Sequence, residues 1–508
     1  MGEAQRADVD LLDDDGDDAA DRLDYAAYQP GPLDRPSGSD EFVRGLSEAI
    51  GGPLGEHAVG PRRSGRFWTA ARIVLALVCL SLALHWVQKS PCQDGAWSNL
   101  KQYRQMCYTD VLALYYAEGL SDGKVPYADH AVEYPVLTGV FMGLLGLPVH
   151  ALAAHRPGLN QGEWFYNLNV VTLGAIAVAS VATMLALRRR RPWDVAMFAV
   201  SPALILTATV NWDLLAVGFA VFGMYAWARR HPALAGVLLG LGTAAKLWPG
   251  FLFIPILLLG LRARRFAPAF VASFTGVVAW ILVNLPVAFA FTDSWRTFFH
   301  MNSTRPIDWG TLWYIGENFP IHGHLPGFQW LSVNIQSLNW ITYGLFGLAC
   351  LGIAVLILLA PRRPRLAQVA FLVVAAFLVF SKVWSQQYVL WLLPLAVLAR
   401  PRWGAFLVWQ FGEICYFVAF YGELMGASGK SVFPEWVFVS AALLRLITVC
   451  LLAGYIVRDI LKPHRDAVRQ TYDDDPDGGV FDGAEDAPWV TALRDRSRGG
   501  LVVPEPAT

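Results

Sequence analysis

Residues 164–191 have the sequence WFYNLNVVTLGAIAVASVATMLALRRRR, a largely apolar run followed directly by four arginines. A helix needs about 20 apolar residues to cross the hydrocarbon core of a bilayer. Lys and Arg concentrate in the cytoplasmic loops of membrane proteins. The stretch therefore predicts a membrane-spanning helix whose carboxyl end lies in the cytoplasm.

The composition of the whole chain supports a membrane protein. Of its 508 residues, 55% are hydrophobic and 16% charged, and the mean hydropathy is +0.39, whereas soluble chains carry about 25% charged residues. The 20 Trp and 29 Phe exclude a chain that is disordered throughout. A net charge of −1 indicates no nucleic-acid partner, and six Cys are too few for a disulfide scaffold.

Further apolar runs between residues 67 and 461 predict an all-α, polytopic membrane domain of about 12 spanning helices. The predicted spans lie near residues 67–88, 164–187, 193–210, 213–228, 233–246, 249–261, 267–291, 335–360, 366–381, 386–399, 403–421 and 435–457. Several are short, which favours a packed bundle with broken helices. Placing the Arg-rich connections in the cytoplasm leaves the connections 89–163 and 292–334 on the outer face and both termini inside.

Three segments lie outside this series of spans. Residues 1–66, which include DVDLLDDDGDDAADRLD, are predicted to be a disordered acidic cytoplasmic tail, and residues 462–508 a second solvated cytoplasmic tail. The run from Tyr134 to Ala153 is long enough to cross, but a crossing there would put the arginines at 188–191 outside. We therefore expect a re-entrant or interfacial helical hairpin on the outer face, bent near Pro148.

Charged residues stand at the predicted outer ends of apolar helices: Asp213 in NWD, Lys246 in AAKLWP and Lys382 in FSKVWSQQY. A charge at membrane depth costs about 2.5–3.5 kcal/mol, so it is usually paired or marks a functional site. The alternative for each is a side chain that snorkels to the interface. The outer connections add carboxylates in the first and His and Arg in the second, a pattern that favours acid–base chemistry and anion binding.

Five motifs follow one another along the chain: CYTDVLALYYAEGLSDGKVPYADHAVEYPVL, NWDLLAVGF, GLGTAAKLWPG, FHMNSTRP and SQQYVLWLLP. Over residues 67–457 this series resembles the GT-C membrane glycosyltransferases. More narrowly, it resembles the polyprenol-phosphate-mannose-dependent alpha-mannosyltransferases of actinobacteria, in glycosyltransferase family 87. The resemblance implies a GT-C fold whose first outer loop carries interfacial helices. It also implies a polyprenyl-phosphate sugar donor, a lipid-linked or cell-envelope glycan as acceptor, and a reaction on the outer face of the plasma membrane.

The resemblance also implies roles for individual residues. Asp110 corresponds to the essential carboxylate; the alternatives are that it caps a helix or forms a loop ion pair. His300 corresponds to a second base or a partner of Asp110; the alternative is an ordinary loop histidine. An acceptor hydroxyl loses a proton as it attacks the anomeric carbon, and a carboxylate or imidazole takes it. Arg305, Lys246 and Lys382 are expected to bind the leaving phosphate.

Other residues are expected to bind substrate or to shape the site, namely Glu133, Tyr134, Asp213, Gln386, Gln387 and Tyr388. The two glutamines and Tyr388 bind sugar hydroxyls or satisfy the backbone of a broken helix. Glu133 contacts substrate or orients the hairpin through backbone hydrogen bonds. Family members often have glycine after the arginine of the FH motif, whereas Pro306 follows Arg305 here, so the role of Arg305 and the acceptor stay open.

Cys92 and Cys107 both fall in the first outer connection, where an oxidising compartment favours a disulfide that stiffens the segment around Asp110; two free thiols are the alternative. The sequence has no spacing typical of a metal site and no Walker or Rossmann glycine pattern, so neither a metal, a cofactor nor a nucleotide-sugar donor is expected. Two other functions are considered: a lipid or sugar transporter or flippase, although no internal repeat is visible, and a non-catalytic scaffold.

Overall fold

The computed structural model describes residues 40–51, 67–319 and 324–499, and its regular structure in these ranges is helical. Seven helices are long and apolar enough to cross a membrane: Ala70–Cys92, Val136–Ala154, Gln161–Leu187, Phe266–Ala290, Ile335–Leu359, Trp403–Ala427 and Glu435–Leu461. Six shorter apolar helices are Pro192–Thr207, Asp213–Ala228, Pro232–Ala245, Trp248–Arg262, Leu366–Phe380 and Gln386–Ala399. The prediction of an all-α membrane protein is confirmed. The count of about 12 spans is not, because half of those segments are short helices.

The α-helices of the described residues are numbered in chain order. They are α1 Glu41–Gly51, α2 Ala70–Lys89, α3 Lys101–Arg104, α4 Asp110–Ala117, α5 Val136–Ala154, α6 Gln161–Leu187, α7 Ala196–Ala199, α8 Pro202–Thr207, α9 Asp213–Ala228, α10 Pro232–Ala245, α11 Phe253–Arg262, α12 Phe266–Ala290, α13 Thr292–Thr304, α14 Leu312–Glu317, α15 Phe328–Val333, α16 Ile335–Leu359, α17 Leu366–Phe380, α18 Val389–Ala399, α19 Trp403–Ala427, α20 Glu435–Leu461 and α21 Pro488–Gly499.

The short helices end at breaks whose backbone groups are bonded by side chains from other helices. α10 stops at Ala245, whose carbonyl accepts a hydrogen bond from Thr138 Oγ1 at 2.6 Å. The non-helical residues after α17 are bonded in the same way, because Arg445 donates to the carbonyls of Trp384 and Ser385 at 2.9 and 3.1 Å. Broken helices are tolerated at membrane depth only when such partners satisfy the backbone. The breaks bring polar residues together at one end of the bundle.

The segment predicted to be a hairpin is one continuous helix, α5, with Pro148 inside it. The helix therefore does not turn back on itself as a hairpin, and a membrane helix tolerates the loss of the hydrogen bond that an internal proline removes. One face of α5 lies along residues 120–127, where His150 Nδ1 bonds to Ser121 O at 2.8 Å. α6 then begins beside the same connection, and Tyr115 donates to Gln161 Oε1 at 2.9 Å. Because α5 is also among the seven helices long and apolar enough to cross a membrane, its interfacial placement stays a prediction.

The segment after α20 is not a solvated tail over residues 463–494. Its acidic run bonds to the arginine-rich ends of several helices, which form what we call the basic face. Arg188 and Asp477 make a two-pronged ion pair at 2.5 and 2.6 Å, and both side chains are 0% exposed. Further pairs are Arg365–Asp466, Arg262–Asp486 and Arg363–Asp474. The predicted tail is thus wrong for these residues, because the buried arginines need counterions. Residues 500–508 lie outside the described part.

The amino-terminal region is described only for residues 40–51, so the prediction of a disordered tail over residues 1–39 and 52–66 lies outside the described residues. Within that window, Asp40 caps α1 by accepting a hydrogen bond from Phe42 N at 2.9 Å. Its other carboxylate oxygen accepts from Trp403 N at 2.6 Å, at the start of α19. α1 is therefore fastened to the basic face.

The Arg188–Asp477 pair offers a test of the packed carboxyl-terminal segment. Removing one partner of a buried ion pair costs about 3–5 kcal/mol, so we expect Asp477→Asn to lower the free energy of unfolding of the detergent-solubilised chain by that amount. Limited trypsinolysis should then release the segment after residue 462. Asp473→Asn, at an exposed carboxylate of the same acidic run, is the control and should change stability by under about 0.5 kcal/mol. Equal effects of the two substitutions would contradict the packing.

Candidate active site

Asp110 is the first residue of α4 and lies half-buried at the end of the bundle opposite the basic face. Its backbone N–H donates to Val210 O at 2.7 Å, and Asn211 Nδ2 donates to its Oδ2 at 2.8 Å. The cap of α4 is Thr109, which accepts a hydrogen bond from Val111 N at 3.2 Å. The alternative of a helix cap for Asp110 is therefore wrong, and its carboxylate faces a cluster of polar and aromatic side chains.

The surroundings of Asp110 favour proton transfer. Burial raises the pKa of its carboxyl group above the ordinary value. Hydrogen bonds from Asn211 and Tyr108 and the charge of Lys246 work in the opposite direction, while the nearby Asp213 raises the pKa. A general base is most effective when its pKa lies near the working pH. A raised carboxyl pKa moves Asp110 in that direction.

Several contacts fix the chain that leads into Asp110. Lys89, at the end of α2, is buried and donates to Tyr108 O at 3.1 Å. Tyr421 on α19 donates to the same carbonyl at 3.2 Å. The structure also contains a disulfide between Cys92 and Cys107, the pair expected from the sequence, with Cα atoms 5.7 Å apart. These contacts hold the carboxylate against the end of the bundle.

Asp213 and Lys246 form an ion pair near Asp110. Lys246 Nζ lies 3.3 Å from Asp213 Oδ1, and the two side chains are 13% and 0% exposed. Trp391 Nε1 donates to the same Asp213 oxygen at 2.6 Å. The ammonium group of Lys246 also lies 5.4 Å from the ring centroids of both Tyr134 and Tyr388. The two charges are therefore paired inside the bundle rather than snorkelling to its surface.

Aromatic rings surround this pair. Tyr388 stacks on Trp391 with centroids 3.9 Å apart, and Trp391 lies 6.0 Å from Trp248. Asn211 Nδ2 donates to the Tyr134 hydroxyl at 2.6 Å as well as to Asp110, and so links the aromatic rings to the carboxylate. We call the set the central cluster, made up of Asp110, Glu133, Tyr134, Asn211, Asp213, Lys246, Arg305 and Tyr388.

The predicted phosphate-binding cations differ in their surroundings. Arg305 directly follows α13; its side chain is 50% exposed, and its Nη2 lies 3.5 Å from Asp308 Oδ2. Lys382 is buried and donates to the backbone carbonyls of Arg305 and Ser303 at 2.8 and 3.4 Å. Lys382 thus fastens the backbone beneath Arg305, which leaves Lys246 and Arg305 as the cations of the central cluster. Within the described ranges no group of three or more His, Cys, Asp and Glu side chains is placed to hold a metal ion.

Glu133 connects the carboxylate to the cations. Burial raises the pKa of Glu133, the charge of Asp110 raises it further, and Arg305 and Lys246 oppose this. Its backbone N–H donates to Glu118 Oε1 at 3.5 Å. Among the residues that the structure describes, its carboxylate makes no hydrogen bond or ion pair within bonding distance, which makes it a candidate to contact substrate.

Gln386 and Gln387 are both buried, in the short 3₁₀ turn that leads into α18. Gln386 Oε1 has no hydrogen-bond partner among the residues that the structure describes. A buried amide oxygen without a partner costs free energy, so it is a candidate acceptor for a substrate hydroxyl. Gln387, also buried, lies next to Tyr388 of the central cluster.

His300 is not brought to Asp110. It lies exposed on α13, and its backbone carbonyl accepts hydrogen bonds from Ser303 and Thr304 at 2.8 and 2.9 Å. Its ring makes no recorded hydrogen bond or ion pair with Asp110 in the described part of the chain. The geometry therefore supports Asp110, without His300, as the base.

Sequence reasoning missed Arg445 and Glu413. Arg445 Nε lies 2.9 Å from Glu413 Oε2, and its guanidinium group packs 4.4 Å from the ring centroid of Trp384. Arg445 also donates hydrogen bonds to the backbone carbonyls of residues 384 and 385. It therefore positions the segment that carries Gln386 to Tyr388. Both residues are isolated charges in apolar helices, FGEICY and LLRLIT, which was the signal available in the sequence.

In a comparison with known families, residues 134–382 match the profile of glycosyltransferase family 87. A search of curated proteins gave no significant match. The matched range contains five members of the central cluster; Asp110 and Glu133 precede it and Tyr388 follows it. The match confirms the resemblance to glycosyltransferase family 87. It also confirms the prediction of a membrane glycosyltransferase over the transporter and scaffold alternatives.

The Asp213–Lys246 pair predicts strong energetic coupling. Lys246→Met and Asp213→Asn should each lower the free energy of unfolding by about 3–5 kcal/mol, because each leaves a buried charge unpaired. The double substitution should cost less than the sum of the two. Chemical unfolding of the full chain in detergent measures all three values. Lys101→Met, which breaks a more exposed pair with Asp94 at 3.6 Å, is the control and should cost under about 1 kcal/mol; additive losses at 213 and 246 would contradict the pairing.

Proposed function

We propose that this member of glycosyltransferase family 87 transfers mannose from a polyprenyl-phosphate carrier to a hydroxyl group of a lipid-linked or cell-envelope glycan, on the outer face of the plasma membrane. One observation carries the proposal. The half-buried carboxylate of Asp110 and the cations of Lys246 and Arg305 share the neighbours Glu133 and Tyr134. A base and an anion-binding pair therefore meet in one cluster.

The reaction follows from these groups. Asp110 accepts the proton of the acceptor hydroxyl while that oxygen forms a bond to the anomeric carbon. The bond between the anomeric carbon and the phosphate oxygen breaks, and its electron pair leaves with the lipid phosphate. Lys246 and Arg305 stabilise the charge that develops on this phosphate. A direct displacement inverts the anomeric centre, so a beta-linked donor yields an alpha-linked product.

An apolar groove supports a donor carried on a lipid. It has a volume of about 400 Å³, lies between α16, α17 and α20, and is lined by small and aliphatic side chains. Phe380 lines this groove and lies two residues before Lys382. Lys382 in turn donates a hydrogen bond to the backbone carbonyl of Arg305. An isoprenoid chain in this groove buries apolar surface while its phosphate reaches the cations.

The distribution of charge supports the outer face. The arginine-rich helix ends lie together at the basic face, and such ends are usually cytoplasmic. α19 runs from Trp403, near that face, to the Tyr421 contact beside Asp110. The intervening rise of about 27 Å, at about 1.5 Å per residue, is close to the hydrocarbon thickness of about 30 Å. The central cluster thus lies one membrane thickness from the basic face.

The first test removes the base. In membranes supplied with radiolabelled polyprenyl-phosphate mannose, Asp110→Asn should lower sugar transfer by about 10²- to 10⁴-fold, because the amide cannot accept the proton. Asp122→Asn, at an exposed carboxylate of the same connection, should leave transfer unchanged at equal expression. Undiminished transfer by Asp110→Asn would refute the assignment of the base, and an unconsumed donor with the wild type would refute the donor.

The second test uses pH. Transfer requires ionised Asp110, whose pKa is raised by burial, so the rate should fall as the pH falls through that raised value. Tyr108→Phe removes a hydrogen bond that lowers the pKa of Asp110, and the acid limb of kcat/KM should move to higher pH by about half to one unit. Tyr103→Phe, at a neighbouring ring, is the control. A shift to lower pH, or none, would contradict Asp110 as the titrating base.

A further inference from the structure

A second cavity opens at the basic face, far from the central cluster. It has a volume of about 960 Å³ and lies between the start of α19, the end of α20 and the segment that follows α20. Basic side chains dominate its polar wall: Arg400, Arg402, Arg458, Arg465 and His464, with Glu41 as the acidic residue. None of the residues assigned to sugar transfer lines it.

The cavity keeps a positive balance after its internal pairing. Arg400 and Arg458 share one carboxylate, since Asp459 Oδ2 accepts from Arg400 Nε at 3.0 Å and its Oδ1 from Arg458 Nη2 at 3.2 Å. Arg400 is 7% exposed, and its buried Nη1 has no hydrogen-bond partner among the residues described. A buried guanidinium N–H without a partner costs free energy. An anionic oxygen at this position would satisfy it.

The remaining wall is apolar and continues onto the outside of the bundle. Val408 on α19 and Leu451 on α20 both line the cavity and are about half exposed, at 50% and 48%. Both lie on helices long enough to span a membrane, within two turns or so of the arginines at their ends. A cavity with a cationic end and an aliphatic, outward-facing side matches a molecule with an anionic head and apolar chains.

We propose that this cavity binds one anionic phospholipid, with the headgroup phosphate among Arg400, Arg402 and Arg465 and the acyl chains against α19 and α20. The site lies beyond the proposed function, since it shares no residue with the central cluster. Basic pockets between membrane helices bind acidic headgroups, and each basic side chain adds to the attraction. A bound lipid would bridge α1, α19 and the segment after α20, because all three contribute to the lining.

Lipid binding to the purified full-length chain tests the proposal. Native mass spectrometry of the delipidated protein titrated with phosphatidylglycerol should show one tightly retained lipid, and phosphatidylcholine should not replace it. Arg402→Gln combined with Arg465→Gln should weaken retention of phosphatidylglycerol about thirtyfold. The matched control is Arg264→Gln with Arg265→Gln, two exposed arginines after α11 that lie outside the cavity lining, and it should bind as the wild type does.

Four outcomes would overturn the proposal. They are equal retention by the cavity variant and the wild type, equal weakening in the control, phosphatidylcholine binding as tightly as phosphatidylglycerol, and soluble glycerol phosphate displacing the lipid at equal concentration. The last would assign the cavity to a free phosphate ester instead. Because binding is measured without sugar donor, a failure here is distinct from a failure of the transfer assay.

Discussion

A charge inside an apolar helix bundle needs an opposite charge or hydrogen-bond partners, and this constraint organises the molecule at both ends. At the basic face, Arg188 is neutralised by Asp477 with both side chains fully buried. Near the opposite end, Lys246 is neutralised by Asp213. Between them, Arg445 and Glu413 join α19 to α20. These pairs decide which helix ends meet and hold the broken helices in register.

The two ends differ in what the pairing leaves over. At the basic face, the acidic run after α20 supplies carboxylates to Arg188, Arg262, Arg363 and Arg365, whereas Arg400 and Arg458 share the single carboxylate of Asp459 beside the cavity. At the other end, Asp110 is held by the amide of Asn211 instead of by a salt bridge, and the half-exposed Arg305 stands at the edge. The carboxylate of Asp110 therefore keeps the capacity to accept a proton. Lys246, paired with Asp213, fixes the positions of the side chains around it.

The sequence predicted the membrane bundle and the residues around Lys246, because a charged residue within an apolar run can be recognised from the sequence alone. It did not predict the packed segment over residues 463–494, since Arg188 and Asp477 are 289 positions apart and local composition says nothing about such a pair. Polar residues in that segment looked solvated for the same reason. His300 stands in a motif, yet the rotation of α13 leaves it exposed, and motif order alone cannot specify that rotation.

The late position of the acidic run has a consequence for biogenesis. Arg188, Arg262 and Arg365 leave the ribosome well before Asp477, Asp486 and Asp466, the residues that neutralise them. Until the last segment of the chain is synthesised, these guanidinium groups must stay hydrated, so the helix ends that carry them cannot close on one another. A chain that lacked this segment would leave these arginines without their counterions. The basic end of the bundle can therefore close only after residues 466–486 have been synthesised.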